Sequence, residues 1–493
     1  MKGFSLMKIK DLFVGTDVVS YNGCEDTEIA GVTGNSKAVG KDFAFVCISG
    51  TKFDGHSFLG EAKKAGAIVA IVEHDVADSP LPYVLVKDTR LAASYIFSNY
   101  HGNPASDMHM IGVTGTNGKT STTYILSRIF EDAGYCTGII GTIKNTYKGI
   151  DVDAGMTTPD PERLYALLAD MRDSGVEFVF MEVSSHSLAL GRVAPISFDG
   201  AIYTNLTRDH LDFHKTMENY AAAKEILFGQ TRLAVFNIDN EYVRATYNKK
   251  LCESYSASVD QDADFMATDI VYDSMRGIKY SLKRKGGKTL EIKCRIPGEF
   301  SVCNTLYAAA LAIELGIDEK TVVKAIGEIE GVPGRIERIT SEDLPFTVIV
   351  DYAHTPDALE KLLDSVIRTK DASQKLTVLF GCGGDRDKTK RPIMGGIATA
   401  LADFSIITSD NCRTEDPNAI IEDILAGVDK TKKYIVIPDR REAIRYAVMN
   451  AEDHEIILIA GKGHENYEIK KDGKHPFSER EEVEKSVRMR YNK

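Results

Sequence analysis

The sequence predicts an α/β protein in three parts, built mainly on parallel sheets. Three observations carry that prediction. At 493 residues, with 43% hydrophobic and 27% charged side chains, the chain is too long for one core and has the composition of a soluble globular protein. A glycine-rich loop, "GVTGTNGKTST" at 112–122, stands between an apolar run and helical text. Beyond residue 333, four apolar runs each end in a polar cluster, with helical text between them. Alternating strands and helices imply a mostly parallel sheet, whose ligands bind outside the carboxyl ends of the strands.

Taken in order, residues 1–104 mix short strands with a helix and read as a small α/β part, closed by the turn-rich "HGNPASDMH". Residues 105–332 open with "MIGVTGTNGKTSTTYILSRIFEDAGY", a strand, a loop and a helix with apolar Ile125, Ile129 and Ala133. "VEFVFMEVSS" and "FDGAIYTNL" read as buried strands, giving a central sheet like that of P-loop ATPases. From 263 to 297, text such as "GIKYSLKRKGGKTLEIKCRIPG" alternates and adds further β-structure. A helix-rich piece then ends at "GVPGR". Residues 333–493 carry "FTVIVDYAH", "KLTVLFGCGGDRD", "FSIITSDNCR" and "EIILIAGKGHE", a Rossmann-like parallel sheet.

A net charge of −12 argues against nucleic acid as a partner, because phosphate neutralisation needs surplus Lys and Arg. An anionic small substrate responds to its local pocket and is not excluded. The eight cysteines are scattered without a C-x-x-C, which suits a reducing cytosol better than a disulfide framework or a zinc site. The basic start "MKGFSLMKIKDLF" lacks a signal-peptide core, and no run reaches the ~18 apolar residues of a membrane span. A cytoplasmic monomer is expected.

A strict phosphate-binding loop reads G-x-x-x-x-G-K-[ST]. Here its first glycine is replaced by Val113, and glycines stand at 112 and 115 instead. Gly115 and Gly118 still let backbone N–H groups close on phosphate oxygens, with the following helix N-terminus adding its dipole. Lys119 would reach the terminal phosphates, and Thr120 would offer a hydroxyl to Mg²⁺. On the loop alone, a glycine-rich turn without nucleotide remains an alternative.

"TGTNGKT" resembles the loop of the Mur ligases, the ATP-dependent amide-forming enzymes of cell-wall synthesis, and of their folylpolyglutamate synthetase relatives. Further similar stretches follow in order over nearly the whole chain: "MTTPDP" (156–161), "MEVSSHSLALGRV" (181–193), "TNLTRDHLDFH" (204–214), "YAAAKEILF" (220–228), "GEFSVCN" (298–304), "PGRIE" (333–337), "DYAHTPDAL" (351–359), "GCGGDRDKTKRPIMG" (381–395), "SDNCRTEDP" (409–417) and "GKGHE" (461–465). The chain looks most like the members that add meso-diaminopimelate to a UDP-muramoyl dipeptide.

That resemblance implies an N-terminal UDP-sugar-binding domain, a central ATP-binding domain and a C-terminal amino-acid-binding domain over the three ranges above. Thr114, Gly115, Thr116, Asn117, Gly118, Lys119 and Thr120 would form the ATP loop. Asn304 would contact adenine, with Ser301 replacing a more usual Asn, and Arg335 and Asp351 would lie near the phosphates and ribose. Two Mg²⁺ sites are implied, one held by Thr120 and Glu182, the other by His210 and Lys224. The family's lysine at that place carries a CO2-derived carbamate, which turns a repelling ammonium into an oxygen ligand. Read on their own, His210 fits a structural histidine and Lys224 an exposed helix lysine.

Ser36 would contact the uridine nucleotide, although the family's "DSR" is here Asn35-Ser36-Lys37. Thr157, Thr158, Ser184 and Arg192 would hold the muramoyl dipeptide; Leu190 stands where some members carry Gln. Arg386, Asp410, Asn411, Cys412, Arg413, Gly461 and Glu465 would hold diaminopimelate. Diaminopimelate users carry D-N-P-R, whose Arg meets the far carboxylate; here the loop reads Asp-Asn-Cys-Arg. A guanidinium fork suits a carboxylate bidentately, while losing the proline frees φ and leaves the loop less preorganised. The implied activity is ATP-driven amide formation in peptidoglycan synthesis. Alternatives are the same reaction with L-lysine and, from another class, a P-loop ATPase switch.

Overall fold

Six parallel strands frame the glycine-rich loop. In the computed structural model, which describes residues 6–50, 54–273, 277–341 and 343–491, the chain forms two compact units. One comprises the residues up to Phe265 together with Tyr307–Thr321; the other holds Met266–Leu306 and the residues from Val322 on. The first five residues of the basic start, and 274–276 in the alternating stretch, lie outside the described residues.

The main sheet of the first unit orders Thr137–Ile140, Phe178–Glu182, His109–Thr114, Phe198–Tyr203, Thr231–Asn237 and Glu253–Ser258, all parallel. Lys144–Tyr147 and Ile150–Asp153 extend it with antiparallel pairing at one edge. The inner strands are apolar and buried along most of their length because both faces are covered, as parallel sheets require. Glycine at 118, with φ 88°, caps the helix Lys119–Asp132, which buries Ile125, Leu126 and Ile129. Ala133 falls just past the last turn, so the expected stripe is one residue too long.

Residues before this sheet fold on five strands ordered Val18–Asn22, Tyr83–Val86, Ala67–Val72, Phe43–Val46 and Gly31–Thr33. Two α-helices accompany them, Leu59–Ala65 and Thr89–Tyr100, where the sequence suggested one. The shorter has only two buried positions, Leu59 and Ala62, too few for a periodic signal.

In the second unit, the alternating text forms strands, with Ile278–Arg284 antiparallel to Thr289–Cys294. Its larger sheet orders Glu337–Arg338, Thr347–Asp351, Ile456–Ala460, Leu376–Phe380, Phe404–Ile407 and Tyr434–Val436, parallel except at the first pair. The four expected strands are there, their carboxyl ends aligned: Asp351 and Phe380 both pair with Ala460, and Phe380 with Ile407. Among the described residues no helix is long and apolar enough to cross a membrane.

One fully buried ion pair fastens this sheet to the last helix. Arg440 donates to the Glu479 carboxylate and to the carbonyls of Ser409 and Ala460. Arg440→Met should cost about 3–5 kcal/mol by leaving Glu479 buried without its cation, and Arg440→Met/Glu479→Leu should recover most of it. Urea unfolding of the three proteins measures both.

Candidate active site

In the first unit, the loop after His109–Thr114 is set by register. Glu182 ends the neighbouring strand opposite Val113, so its carboxylate faces the start of the loop's helix. Thr120 Oγ1 donates to Glu182 Oε2 at 3.0 Å, while the N–H and hydroxyl of Thr142 reach Oε1 and Oε2 at 2.8 and 3.0 Å. Glu182 is 1% exposed, a carboxylate held ready by three donors.

The loop backbone is fixed from a second side. Thr116 N–H bonds Asn205 O, Asn117 N–H bonds Asn205 Oδ1 at 3.0 Å, and Thr204 Oγ1 donates to Asn117 O at 2.6 Å. Gly115 has φ 146°, and a Cβ there would overlap Thr204 Oγ1. Thus the displaced glycine is demanded by the close approach of the 204–205 segment, which explains the departure from the strict loop pattern.

Two lysines converge on one carbonyl. Lys119 Nζ donates to Gly115 O at 2.8 Å and Thr116 O at 3.0 Å; Lys224 Nζ donates to Gly115 O at 2.9 Å and reaches Thr114 Oγ1 at 3.4 Å. Lys224, expected as an exposed helix lysine if it has no role, is instead 1% exposed. Among the described residues no carboxylate pairs with it; its other neighbour is the Tyr220 ring at 4.9 Å. Burial, helped by the nearby Lys119 charge, pushes its amine well below the ordinary lysine value.

His210 has φ 53° and stands 6.0 Å from the same Tyr220 ring and 5.0 Å from His186. Burial and the charges of Lys119 and Lys224 lower its imidazole against the pull of Asp209, favouring the neutral form that ligates metals. Thr157 Oγ1 meets Thr142 Oγ1 at 3.0 Å; Thr158 Oγ1 bonds Glu182 O and the Ser184 N–H; Arg192 Nη1 donates to Thr158 O at 2.8 Å. These four residues therefore line the same strand end as Glu182. Ser36 follows a segment tied to the adjacent helix Pro161–Asp173, where Glu162 accepts from Thr33 Oγ1 at 2.7 Å and Gly34 N–H at 3.0 Å.

In the second unit, Asp351 is buried, with its oxygens accepting the N–H groups of Ile336 and Ala353 at 2.9 and 2.8 Å. Burial raises its carboxyl above the ordinary value despite Arg335, whose guanidinium lies 4.9 Å from the Tyr352 ring. Asn304 is mostly buried in Glu299–Glu314, with Ser301 one turn before it bonding Pro297 O.

The Asp-Asn-Cys-Arg loop is bound on several sides. Asn411 Nδ2 donates to Glu465 Oε2 at 2.8 Å, and Asn411 Oδ1 accepts from Ile469 N–H at 2.9 Å and from Lys462 Nζ at 2.8 Å. Arg413, at φ 52°, gives its N–H to Ile469 O and its Nη1 to Gly384 O at 2.7 Å. Cys412 is buried, and Gly384 packs so closely on its carbonyl that a Cβ would overlap it. The order that a proline would impose through φ is here imposed by these bonds. Among the described residues no carboxylate pairs with Arg413 or with the exposed Arg386, which bonds only Asp385 O. Gly461, at φ 124°, turns the chain beside Asp410.

Three contributors escaped the sequence reading: Thr142, Asn205 and Lys462. Asn205 and Lys462 lie inside quoted motifs, "TNLTRDHLDFH" and "GKGHE", whereas Thr142 carries no motif signal.

Residues 28–96 match the catalytic domain of the Mur ligase family, 113–312 the Mur ligase middle domain and 334–463 the Mur ligase glutamate ligase domain. The UDP-N-acetylmuramoyl-L-alanyl-D-glutamate–2,6-diaminopimelate ligase of Clostridium perfringens is 42% identical over 97% of this chain and 99% of its own. The ligase of the same name in Clostridioides difficile is 43% identical over 96% and 98%. A solved structure of a ligase of that name superposes with a TM-score of 0.72 at 30% identity, covering 99% of this chain and 100% of the other.

His464 supplies a test of the second unit. Burial, with the Arg335 charge, pushes its imidazole from 6.5 down to about 4. The unfolded chain therefore binds about one more proton than the folded one between these values, so this group removes stability as pH falls through the window. Calorimetric melting temperatures should show His464→Gln losing part of the decline between pH 6.5 and pH 4 that the parent protein shows.

Proposed function

Because the chain belongs to the Mur ligase family, we propose that it joins meso-diaminopimelate to the D-glutamate γ-carboxylate of UDP-N-acetylmuramoyl-L-alanyl-D-glutamate at the expense of ATP. The observation that carries the amino-acid assignment is Arg413, a guanidinium fixed by backbone carbonyls and left without a carboxylate among the described residues. Diaminopimelate brings a second carboxylate at its far end, which lysine lacks. The ranges 1–104, 105–332 and 333–493 are read as the domains for UDP-sugar, ATP and amino acid, and the protein as a cytoplasmic monomer.

In this reading the loop's N–H groups and Lys119 hold the triphosphate of ATP, and Asn304, Arg335 and Asp351 are read as further nucleotide-binding residues. Thr120 and Glu182 form an all-oxygen donor pair that suits Mg²⁺, a hard cation. Mg²⁺ there would offset charge on the transferring phosphoryl group. For a second ion, His210 offers a neutral nitrogen, but the Lys224 amine suits it only once carbamylated. A buried amine with suppressed charge and no counter-ion is the state in which lysine adds CO2.

Thr157, Thr158, Ser184 and Arg192 orient the acceptor carboxylate, which takes the γ-phosphoryl group to give an acyl phosphate and ADP. The α-amine of diaminopimelate, held by Arg386, Arg413, Asn411 and Glu465, attacks that carbonyl and loses a proton, and the tetrahedral intermediate expels phosphate. Lys119 stabilises charge that develops on the phosphoryl oxygens.

Phosphate release should require ATP, the UDP-muramoyl dipeptide and diaminopimelate together. Diaminopimelate should be preferred to L-lysine by up to roughly 10⁴-fold in kcat/KM, since lysine leaves the guanidinium unpaired. Arg413→Ala should raise the diaminopimelate KM and spare the ATP KM; equal turnover of both amino acids by the parent enzyme overturns the assignment. Lys119→Ala should abolish ligation. Lys224→Ala should nearly do so, with partial recovery in a short-chain carboxylic acid; full activity without additive removes the carbamate.

A further inference from the structure

Resting on the amino-acid pocket proposed above, we infer that Lys462 is a positioning residue for diaminopimelate. It is a fully buried lysine that touches the pocket from behind and does not face the substrate. A buried ammonium is costly unless each of its donors is matched. Lys462 Nζ meets Asn411 Oδ1 at 2.8 Å, Tyr467 O at 3.0 Å and Asp410 Oδ1 at 3.2 Å, with Glu465 Oε2 at 3.6 Å. Two of the ammonium's three donors are in hydrogen bonds, Asp410 is its ion-pair partner, and full burial leaves it no open face for a ligand.

Those contacts decide the orientation of the pocket. Asn411 Oδ1 accepts from both Lys462 and the Ile469 N–H, which fixes it as the oxygen and turns the amide NH2 toward Glu465 Oε2. Glu465 is thereby held by one oxygen, and among the described residues its Oε1 takes no hydrogen bond. Arg413, in the same loop as Asn411, presents a guanidinium. A carboxylate and a guanidinium fixed in one loop pair are complementary to the ammonium and carboxylate at one end of an amino acid.

The neighbouring charges are arranged to keep Lys462 in place. Burial alone would raise the Asp410 carboxyl, but Lys462, Arg440 and the Asn411 N–H hold it below its ordinary value, so it remains the lysine's counter-ion. Arg440 bonds the carbonyls of Ser409 and Ala460, the residues just before Asp410 and Gly461. Hence Arg440 seats the ends of the two strands, and Lys462 locks the loops that leave them.

The test uses full-length Lys462→Met and Lys462→Gln, assayed for phosphate release beside the parent enzyme with diaminopimelate and with L-lysine. The expected result is a diaminopimelate KM raised about 100-fold, the loss typical of a small misplacement of binding groups. The ATP and UDP-muramoyl-dipeptide KM values and kcat at saturating diaminopimelate should stay within about threefold, and the preference over lysine should shrink by the same factor as the KM rises. Should both single variants fail to fold, Lys462→Arg keeps a buried cation beside Asp410 but replaces the point donor on Asn411 with a planar fork, and a rise in the diaminopimelate KM alone is again expected. An unchanged diaminopimelate KM in variants whose parent uses diaminopimelate overturns the inference alone. So does a parallel rise in all three KM values with a lowered melting temperature, which marks a purely structural lysine. A parent enzyme that does not use diaminopimelate overturns the proposed function and this inference with it.

Discussion

The pairing of Phe178–Glu182 alongside His109–Thr114 is the constraint on which the glycine-rich-loop end of the first unit depends. Parallel register places Glu182 opposite Val113, and the next residues of each strand must leave the sheet together. One strand leaves through a glycine-rich loop into a helix, the other through Ser184 into a short helix. As a result one buried carboxylate meets the first helical hydroxyl, Thr120, without any long side chain having to be ordered. Slipping the register by one residue would turn Glu182 to the opposite face of the sheet, and the hydroxyl would lose its partner.

The second unit solves the same geometric problem with different means. Its four apolar strands end side by side, and their loops are too polar to pack by burial. Buried cations bind them instead: Arg391 holds Glu415 and Asp423, Arg440 holds Glu479 and two carbonyls, and Lys462 holds Asp410 and Asn411. Each such cation is costly to bury and is retained here where several backbone segments must be brought to one place. Strain is tolerated nearby as well. Ile336, a β-branched residue, sits at φ 41° with its N–H on Asp351, a conformation that costs of order 1–3 kcal/mol.

Much of this was legible in the sequence because the signals were local. Apolar runs located the strands that end at Thr114, Glu182 and Asp351 and just before Gly461, and the Gly-Lys-Thr triplet located the helix start. The short strand Tyr434–Val436 and the helix Leu59–Ala65 were not legible, since three and seven residues give no period to read. Lys224 was harder still. In the helix Met217–Glu225 it looks like any last-turn lysine, and only the tertiary fold shows it burying its amine against Gly115. The place of Cys412 misled in the other direction: sequence counts the missing proline as lost order, but cannot count hydrogen bonds that arrive from Ile469 and Lys462.

The carbonyl oxygen of Gly115 accepts from both Lys119 and Lys224. Being main chain, it is encoded by no codon of its own, and no substitution elsewhere can delete it. Changes at the two lysines are visible to selection directly, whereas the acceptor they share can be altered only by moving the backbone. At φ 146° and with Thr204 pressed against the missing Cβ, glycine is the residue that keeps it in place. The point on which the two amines converge is therefore held by backbone geometry and not by any side chain.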